Sequence, residues 1–264
     1  RMKWVYHEIS FNSKPSDKEN PMKHKNIFGR IAYTSKKPDL MDQPRGHETF
    51  HITKHMDGQL TLRAHCEIEE PDPTVMRDVI LTTDQNNRPM DCFIRLTVGD
   101  QFMGSGCFRF DLDDNGKGSI ECESYGPSID RITQRQETNG SFHSFGTHPI
   151  VGDGFNCKSI DISNGPVTED MRCFMPSLDH RGATPPMIAE LTIGCQYHGK
   201  EEISVNAGTF QCHHFSYIDD VGFNEGIKHP PYDIWLTEED FIIVQAGVSG
   251  YMQTWYELIE LRYD

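Results

Sequence analysis

Apolar positions along this chain of 264 residues fall in short runs, not at helical spacing. The runs are rich in Val, Ile, Phe, Tyr and Thr. Gly, Asp and Asn punctuate them, which is the pattern of strands and turns. In the first half this predicts strands over Lys3–Ser10, Glu48–Lys54, Gln59–Glu67, Val75–Thr83, Met90–Val98, Gln101–Asp111 and Lys117–Ser124. In the second half it predicts Lys158–Ile162, Met187–Gln196, Glu201–Val205, Thr209–Ile218, Tyr232–Thr237, Phe241–Ala246 and Met252–Leu261. Tight turns at His55–Gly58, Asp84–Asn87, Val98–Asp100 and Asp113–Gly116 imply antiparallel neighbours in chain order. So long a meander hides its edges only by closing or by pairing sheets. The expected fold is all-β, an antiparallel meander forming a barrel or two related β units.

Asp78-Val-Ile-Leu-Thr-Thr-Asp84 resembles Asp233-Ile-Trp-Leu-Thr-Glu-Glu239, and each precedes a hairpin and an aromatic strand. The expected organisation is a first β unit over 1–124, an irregular central segment of site-forming loops over 125–186, and a second β unit over 187–264. The central segment mixes Tyr125, Arg131, His143, His148 and Asp153 with Gly and Pro, and long irregular segments in compact β proteins are usually binding loops.

Twenty-five basic against 40 acidic residues leave a net charge of −15. Such a surface repels phosphate backbones and anionic lipid, so neither nucleic acid nor membrane is an expected partner. A small apolar molecule is, and a homo-oligomer is compatible. The N-terminal RMKWVYHEIS lacks the apolar core and small-residue cleavage site of a secretion signal, which points to the cytoplasm. Eight cysteines without a CxxC spacing, mostly inside apolar runs, read as free core thiols. No phosphate-cradling glycine loop is present, so no cofactor is expected.

The second half, through NAGTFQCHHFSYID, YDIWLTEEDFIIVQAG and TWYELIEL, resembles the DUF3108 and lipocalin-like (calycin) β-barrel domains over about 80 residues. That resemblance implies a lipocalin-like barrel enclosing a small apolar ligand, and it carries over no catalytic residue.

Thirteen histidines are the richest chemical signal. His143 and His148 flank a short loop and Asp153 follows, an acid/base set because imidazole titrates near neutrality and a carboxylate fixes its tautomer. Tyr125 completes the catalytic candidates. His148-Pro149 as a simple turn is the plainer alternative. A metal on His143, His148, Asp153 and His180 fits neither one helix face nor one strand face, and none is expected. Arg95 and Arg131, with His214 and Trp235, are candidate substrate contacts. An arginine on an apolar strand, such as Arg95 or Arg109, implies an anionic partner if it points inward and nothing if it faces solvent. Strand alternation sends His213 and His214 to opposite faces. The expected function is a cofactor-independent acid/base enzyme, a hydratase, dehydratase or isomerase, acting on a small apolar substrate in a barrel cavity. A non-catalytic binding protein for such a ligand is the alternative.

Overall fold

The computed structural model describes residues 24–140, 144–179, 181–218, 231–249 and 253–264. Among them the chain forms one antiparallel meander after another. The strands are β1 (Lys25–Ser35), β2 (Pro44–Lys54), β3 (Leu60–Ile68), β4 (Val75–Thr83), β5 (Pro89–Val98), β6 (Gln101–Leu112), β7 (Lys117–Gly126) and β8 (Asp130–Asn139). After these come β9 (Ser144–Phe145), helix α1 (Ile150–Asn156), a 3-10 turn at Cys157–Ser159, and then β10 (Val167–Met175), β11 (Ala189–Val205), β12 (Gly208–Ile218), β13 (Tyr232–Thr237), β14 (Ile243–Val248) and β15 (Thr254–Tyr263).

All fifteen strands belong to one sheet, ordered β8 down to β1, then β15 down to β9. The first and last strands make the seam, with Ile31 opposite Leu258 and Tyr33 opposite Tyr256. The sheet curls around a single core that takes Ile27, Ile52, Leu62, Phe108 and Ile120 from one half and Phe174, Phe215, Ile234 and Leu258 from the other. Among the described residues it is barrel-like but not closed by a backbone ladder. Its two ends meet through side chains instead. Gln136 on β8 donates to Glu190 on β11 at 2.7 Å, Gln134 accepts from the Ile188 amide at 2.9 Å, and Arg172 reaches the Gly140 carbonyl at 3.2 Å. Phe145 of β9 packs on Phe108 and Phe110 of β6 at 5.0 Å each.

The turn chemistry explains the hairpins. Asp57, Asp84 and Asp113 each accept a hydrogen bond from the backbone two residues on, and Gly58, Asn87 and Gly116 close the turns with positive φ. Gly99 and Asp100, both left-handed, form the two-residue β5–β6 turn.

Several expectations need correction. Residues 125–140 are not irregular: they complete β7 and form β8. Strand β8 escaped detection because it is polar on both faces (DRITQRQETN), as suits a sheet edge that must resist pairing. Strand β1 was missed because Gly29 and Arg30 interrupt its apolar alternation; the Phe50 ring fills the space over Gly29. Lys158–Ile162 is the 3-10 turn and coil. The stretches expected as two strands in 187–205 are the single β11, which runs through a bulge at His198. Lys3–Ser10 lies outside the described residues. Gln59–Asp111 and Thr209–Leu261 each hold four consecutive antiparallel strands, with Asp78 and Asp233 in the second strand of each, but both share one sheet and one core.

All eight cysteines are free, and all but Cys107 are buried. Thiol titration of the native protein should therefore show at most one promptly reactive group, and eight after denaturation. Fewer than eight under denaturing, non-reducing conditions would mean disulfides that this packing does not contain.

Candidate functional site

The site begins with a carboxyl group inside the sheet. On β2, Glu48 shares the inward face with Phe50 and Ile52 and has no exposed surface. Above it sits α1. The first amides of a helix have no partner within the helix, and here Ile150 N donates to Glu48 Oε2 at 2.8 Å and Val151 N to Oε1 at 3.0 Å. The Tyr33 hydroxyl donates to Oε2 at 2.7 Å. Burial pushes Glu48 up to about 7, against the pull of these three hydrogen bonds and of Arg77.

Helix α1 lies close to its neighbours. A Cβ on Gly154 would stand 2.1 Å from the Phe241 carbonyl oxygen, and one on Gly152 2.4 Å from Thr147 Oγ1. These glycines let the helix pack closely against its neighbours. The helix thereby presents Asp153 to a cavity of about 160 Å³. Its apolar wall includes Ile68, Met171, Met175, Leu191, Ile193 and Val248; its polar groups include Asp153, His148, three arginines (45, 77 and 181) and four tyrosines (33, 217, 232 and 256). A cavity near this volume holds about one benzene-sized molecule in other proteins.

Asp153 Oδ2 accepts from Tyr232 Oη at 3.1 Å, and its backbone carbonyl accepts from Tyr217 Oη at 2.7 Å. Desolvation dominates here: Asp153 is pushed up to about 8, with the nearby Glu48 charge adding to the rise. Burial likewise raises all four tyrosines. At neutral pH the cavity thus presents a protonated carboxyl and neutral phenols.

Arg77 shares the inward phase of β4 with Val75, Val79 and Leu81, and is fully buried. It donates to the carbonyl oxygens of Arg181 (2.9 Å) and Gly182 and to Cys66 Sγ at 3.4 Å, which ties Arg181 and Gly182 down beside the cavity. Gly182 must be glycine: its φ is +59°, and a Cβ would collide with the Arg77 guanidinium and stand 2.9 Å from His148 Cδ2. Arg45 pairs with Glu70 at 3.3 Å and donates to the Thr254 hydroxyl. His148, half-buried and left-handed at φ +72°, has Nε2 2.9 Å from Ser177 Oγ.

Of the expected site residues, the fold brings His148 and Asp153 to one cavity. There His148 Nε2 meets Ser177 Oγ, and Asp153 Oδ2 accepts from Tyr232. His143 and His180 lie outside the described residues. Tyr125, Arg95 and Arg131 are exposed on the outer face, and all three border one shallow groove there. Arg95 lies opposite in phase to the buried Cys92, Ile94 and Leu96, and its guanidinium rests over Phe102 at 5.2 Å; Arg131 pairs with Glu123 at 3.4 Å. Arg109 is exposed too. His214 and Trp235 stack on each other at 4.5 Å, outside the cavity. His213 is the inward histidine of the pair, bonded to Tyr197 Oη at 3.0 Å and stacked on Phe241, a packed core group. The groups passed over in sequence are Arg45, Arg77, Tyr33 and Tyr232 of the cavity, and Glu48 beneath the helix. Glu48 and Arg77 carried a usable signal, because each sits in phase with the apolar residues of its strand.

No family model matches the chain, and no curated protein does. Solved structures supply the fold. A β-barrel-like protein of the DUF1849 domain of unknown function from Brucella abortus superposes with a TM-score of 0.56 at 10% identity, covering 92% of this chain and 98% of that one. A DUF1089 protein from Pseudomonas aeruginosa gives 0.42 at 11% identity, over 78% and 90% of the two chains. A YmcC-like protein from Bacteroides fragilis gives 0.32 at 8%, over 91% and 96%. The first of these establishes a barrel-like fold. Among the described residues no helix is long and apolar enough to cross a membrane, which says nothing of strands.

Two raised carboxyls give a signed pH dependence. Asp153 moves from 3.8 to about 8 and Glu48 from 4.5 to about 7, so between those values the native state holds protons that the unfolded chain releases. Their contribution is present on the acid side and is lost as pH rises through the folded values. At about 1.4 kcal/mol per unit the two shifts are worth several kcal/mol together. The melting temperature should fall between about pH 5 and pH 8.5, and Asp153→Asn should flatten that fall. An unchanged slope in the variant would mean Asp153 is ionised throughout.

Proposed function

We propose that the cavity binds a small, largely apolar molecule bearing one oxygen function and exchanges a proton with it, as a cofactor-independent hydratase, dehydratase or isomerase. The observation behind this is Asp153, a carboxyl set in a mostly apolar cavity beside a tyrosine hydroxyl, where burial pushes its pKa up to about 8. A general acid works best when its pKa lies near the working pH. In the dehydration direction Asp153 protonates the hydroxyl oxygen, the C–O bond breaks and water leaves. His148 takes the proton from the adjacent carbon, and the C–H electron pair becomes the double bond. Tyr232 and Tyr256 hold the substrate oxygen. The left-handed backbone of His148, worth about 1–3 kcal/mol of strain, fits a side chain held in place for a purpose.

The cavity volume favours a single ring over a steroid skeleton. The resemblance to DUF3108 and lipocalin-like barrels agrees with an enclosed apolar ligand. Free, buried thiols suit a reducing, cytoplasmic setting, and the charge of −15 disfavours nucleic acid and anionic lipid as partners. The second reading, binding without chemistry, draws on the polar groups already satisfying one another: Tyr232 on Asp153, Tyr33 on Glu48.

The test is to incubate the protein with one-ring alcohols and alkenes, such as 1-phenylethanol, cyclohexanol and cyclohexene, and follow gain or loss of water by mass spectrometry. Turnover should fall as pH rises through about 8. Asp153→Asn should lose on the order of 10²–10⁴-fold in rate while calorimetric binding persists. Binding without turnover in the parent protein would select the second reading.

A further inference from the structure

Where β11 passes residues 197–199, its ladder to β12 slips. Tyr197 faces Phe215 and Gly199 faces His214, leaving His198 as the extra residue of a bulge. A bulge re-aims the side chain it carries. Here it lays the His198 ring against His214 of β12, with centroids 4.5 Å apart, outside the cavity. Asp233 of β13 stands beside them, its Oδ1 3.2 Å from His214 Nε2. One donor atom from each of His198, His214 and Asp233 lies within 4.8 Å of the other two.

The surroundings hold His214 in one orientation. Its ring stacks on Trp235 at 4.5 Å and 16°. Its Nδ1 lies 2.7 Å from Glu201 Oε1, an oxygen that also accepts from Trp235 Nε1 at 2.9 Å. An imidazole that donates Nδ1–H to Glu201 directs the lone pair of Nε2 at a carboxylate oxygen of Asp233. Two lone pairs at that separation repel unless a proton or a cation lies between them. Ligand atoms around a tetrahedral ion with bonds of about 2.0–2.1 Å stand roughly 3.3 Å apart, close to the 3.2 Å between His214 Nε2 and Asp233 Oδ1. A histidine whose second nitrogen donates to a carboxylate is also the recurring outer arrangement of metal sites. Ser216 Oγ donates to Asp233 Oδ1 at 2.5 Å and lies 2.7 Å from His198 Nε2, so it steadies both remaining groups.

We propose that His198, His214 and Asp233 form a binding site for a divalent transition-metal ion, zinc foremost, with Glu201 orienting His214. Two imidazoles and one carboxylate are a donor set suited to zinc, copper, nickel or iron, and they leave positions open for water or an added ligand. Sequence spacing pointed to no metal because it grouped histidines by their distance along the chain. These three donors come from three neighbouring strands and a bulge. The site lies outside the cavity, so it stands whether or not the cavity is catalytic.

The experiment strips the full chain with chelator, dialyses it against zinc and measures bound metal by elemental analysis. One zinc per chain is expected. The His198→Ala/His214→Ala double variant should lose it, and Asp233→Asn should bind at least tenfold more weakly. Glu201→Gln, a change to an orienting group, should cost about 10–100-fold in affinity. Because Trp235 stacks on His214, copper(II) should quench tryptophan emission, and Trp235→Phe should remove most of that quench. His47→Ala, in a separate His47–Glu67–Glu69 cluster, should leave binding unchanged. Melting curves confirm that each variant folds. Failure to retain zinc, zinc that survives the double variant, or zinc lost with His47→Ala would each overturn the site.

Discussion

The Glu48 carboxyl is the interaction on which the interior is organised. A curled sheet leaves its inner face open at the ends, and α1 is what covers this one near the seam. A helix of seven residues has little stability of its own. It is held because its first two amides, which nothing in the helix can satisfy, end on a carboxyl buried in β2. The same group accepts from Tyr33 on β1, so one side chain joins two strands of the sheet to the helix. Through the helix it also fixes Asp153, three residues beyond the first amide. Truncating Glu48 would leave buried donors unpaired, a loss usually larger than that of the bonds themselves.

The sheet separates two kinds of chemistry by strand alternation. On the inner face the carboxyls and phenols sit among aliphatic walls, so their charged forms are disfavoured and protons are retained. On the outer face His214 and Asp233 remain partly exposed beside Glu201 and Trp235, where charge is tolerated. Strand β12 shows the division within two residues: His213 packs inward on Phe241 and His214 stacks outward on Trp235.

Much of the fold was legible in the sequence because hairpin turns and two-residue alternation are local. Val75–Thr83 and Tyr232–Thr237 were readable to the residue. What failed was also local in origin. Strand β8 lacks an apolar face because it is an edge, and α1 is too short and too rich in glycine to show a helical period. Of the candidate site, His148 and Asp153 were visible as a loop cluster. Arg95 and Arg131 were singled out although their strand phase sends them outward, while Arg77, in phase with its apolar neighbours, was passed over. The tyrosines come from β1, β12, β13 and β15, and only the β1–β15 seam and the C-terminal meander bring them together. No spacing rule along the chain encodes that meeting.

The two interior carboxyls are not equivalent, and the difference decides which one can serve as an acid. Glu48 accepts from two backbone amides and a phenol, and Arg77 is near enough to draw it down. Each of these favours the anion, and burial prevails over them by a narrower margin. Its donors are also structural, so a change in its charge acts directly on the helix it anchors. Asp153 accepts from Tyr232 and lines the open volume, and desolvation there carries it further from its ordinary value. Gaining or losing its proton acts on Tyr232 and on whatever fills the cavity, not on the amides that anchor the helix. A structural carboxyl must be held from several sides, whereas an acid needs a proton that can leave toward a ligand. By that criterion Glu48 supports the fold, and Asp153 is the carboxyl that suits the proposed acid.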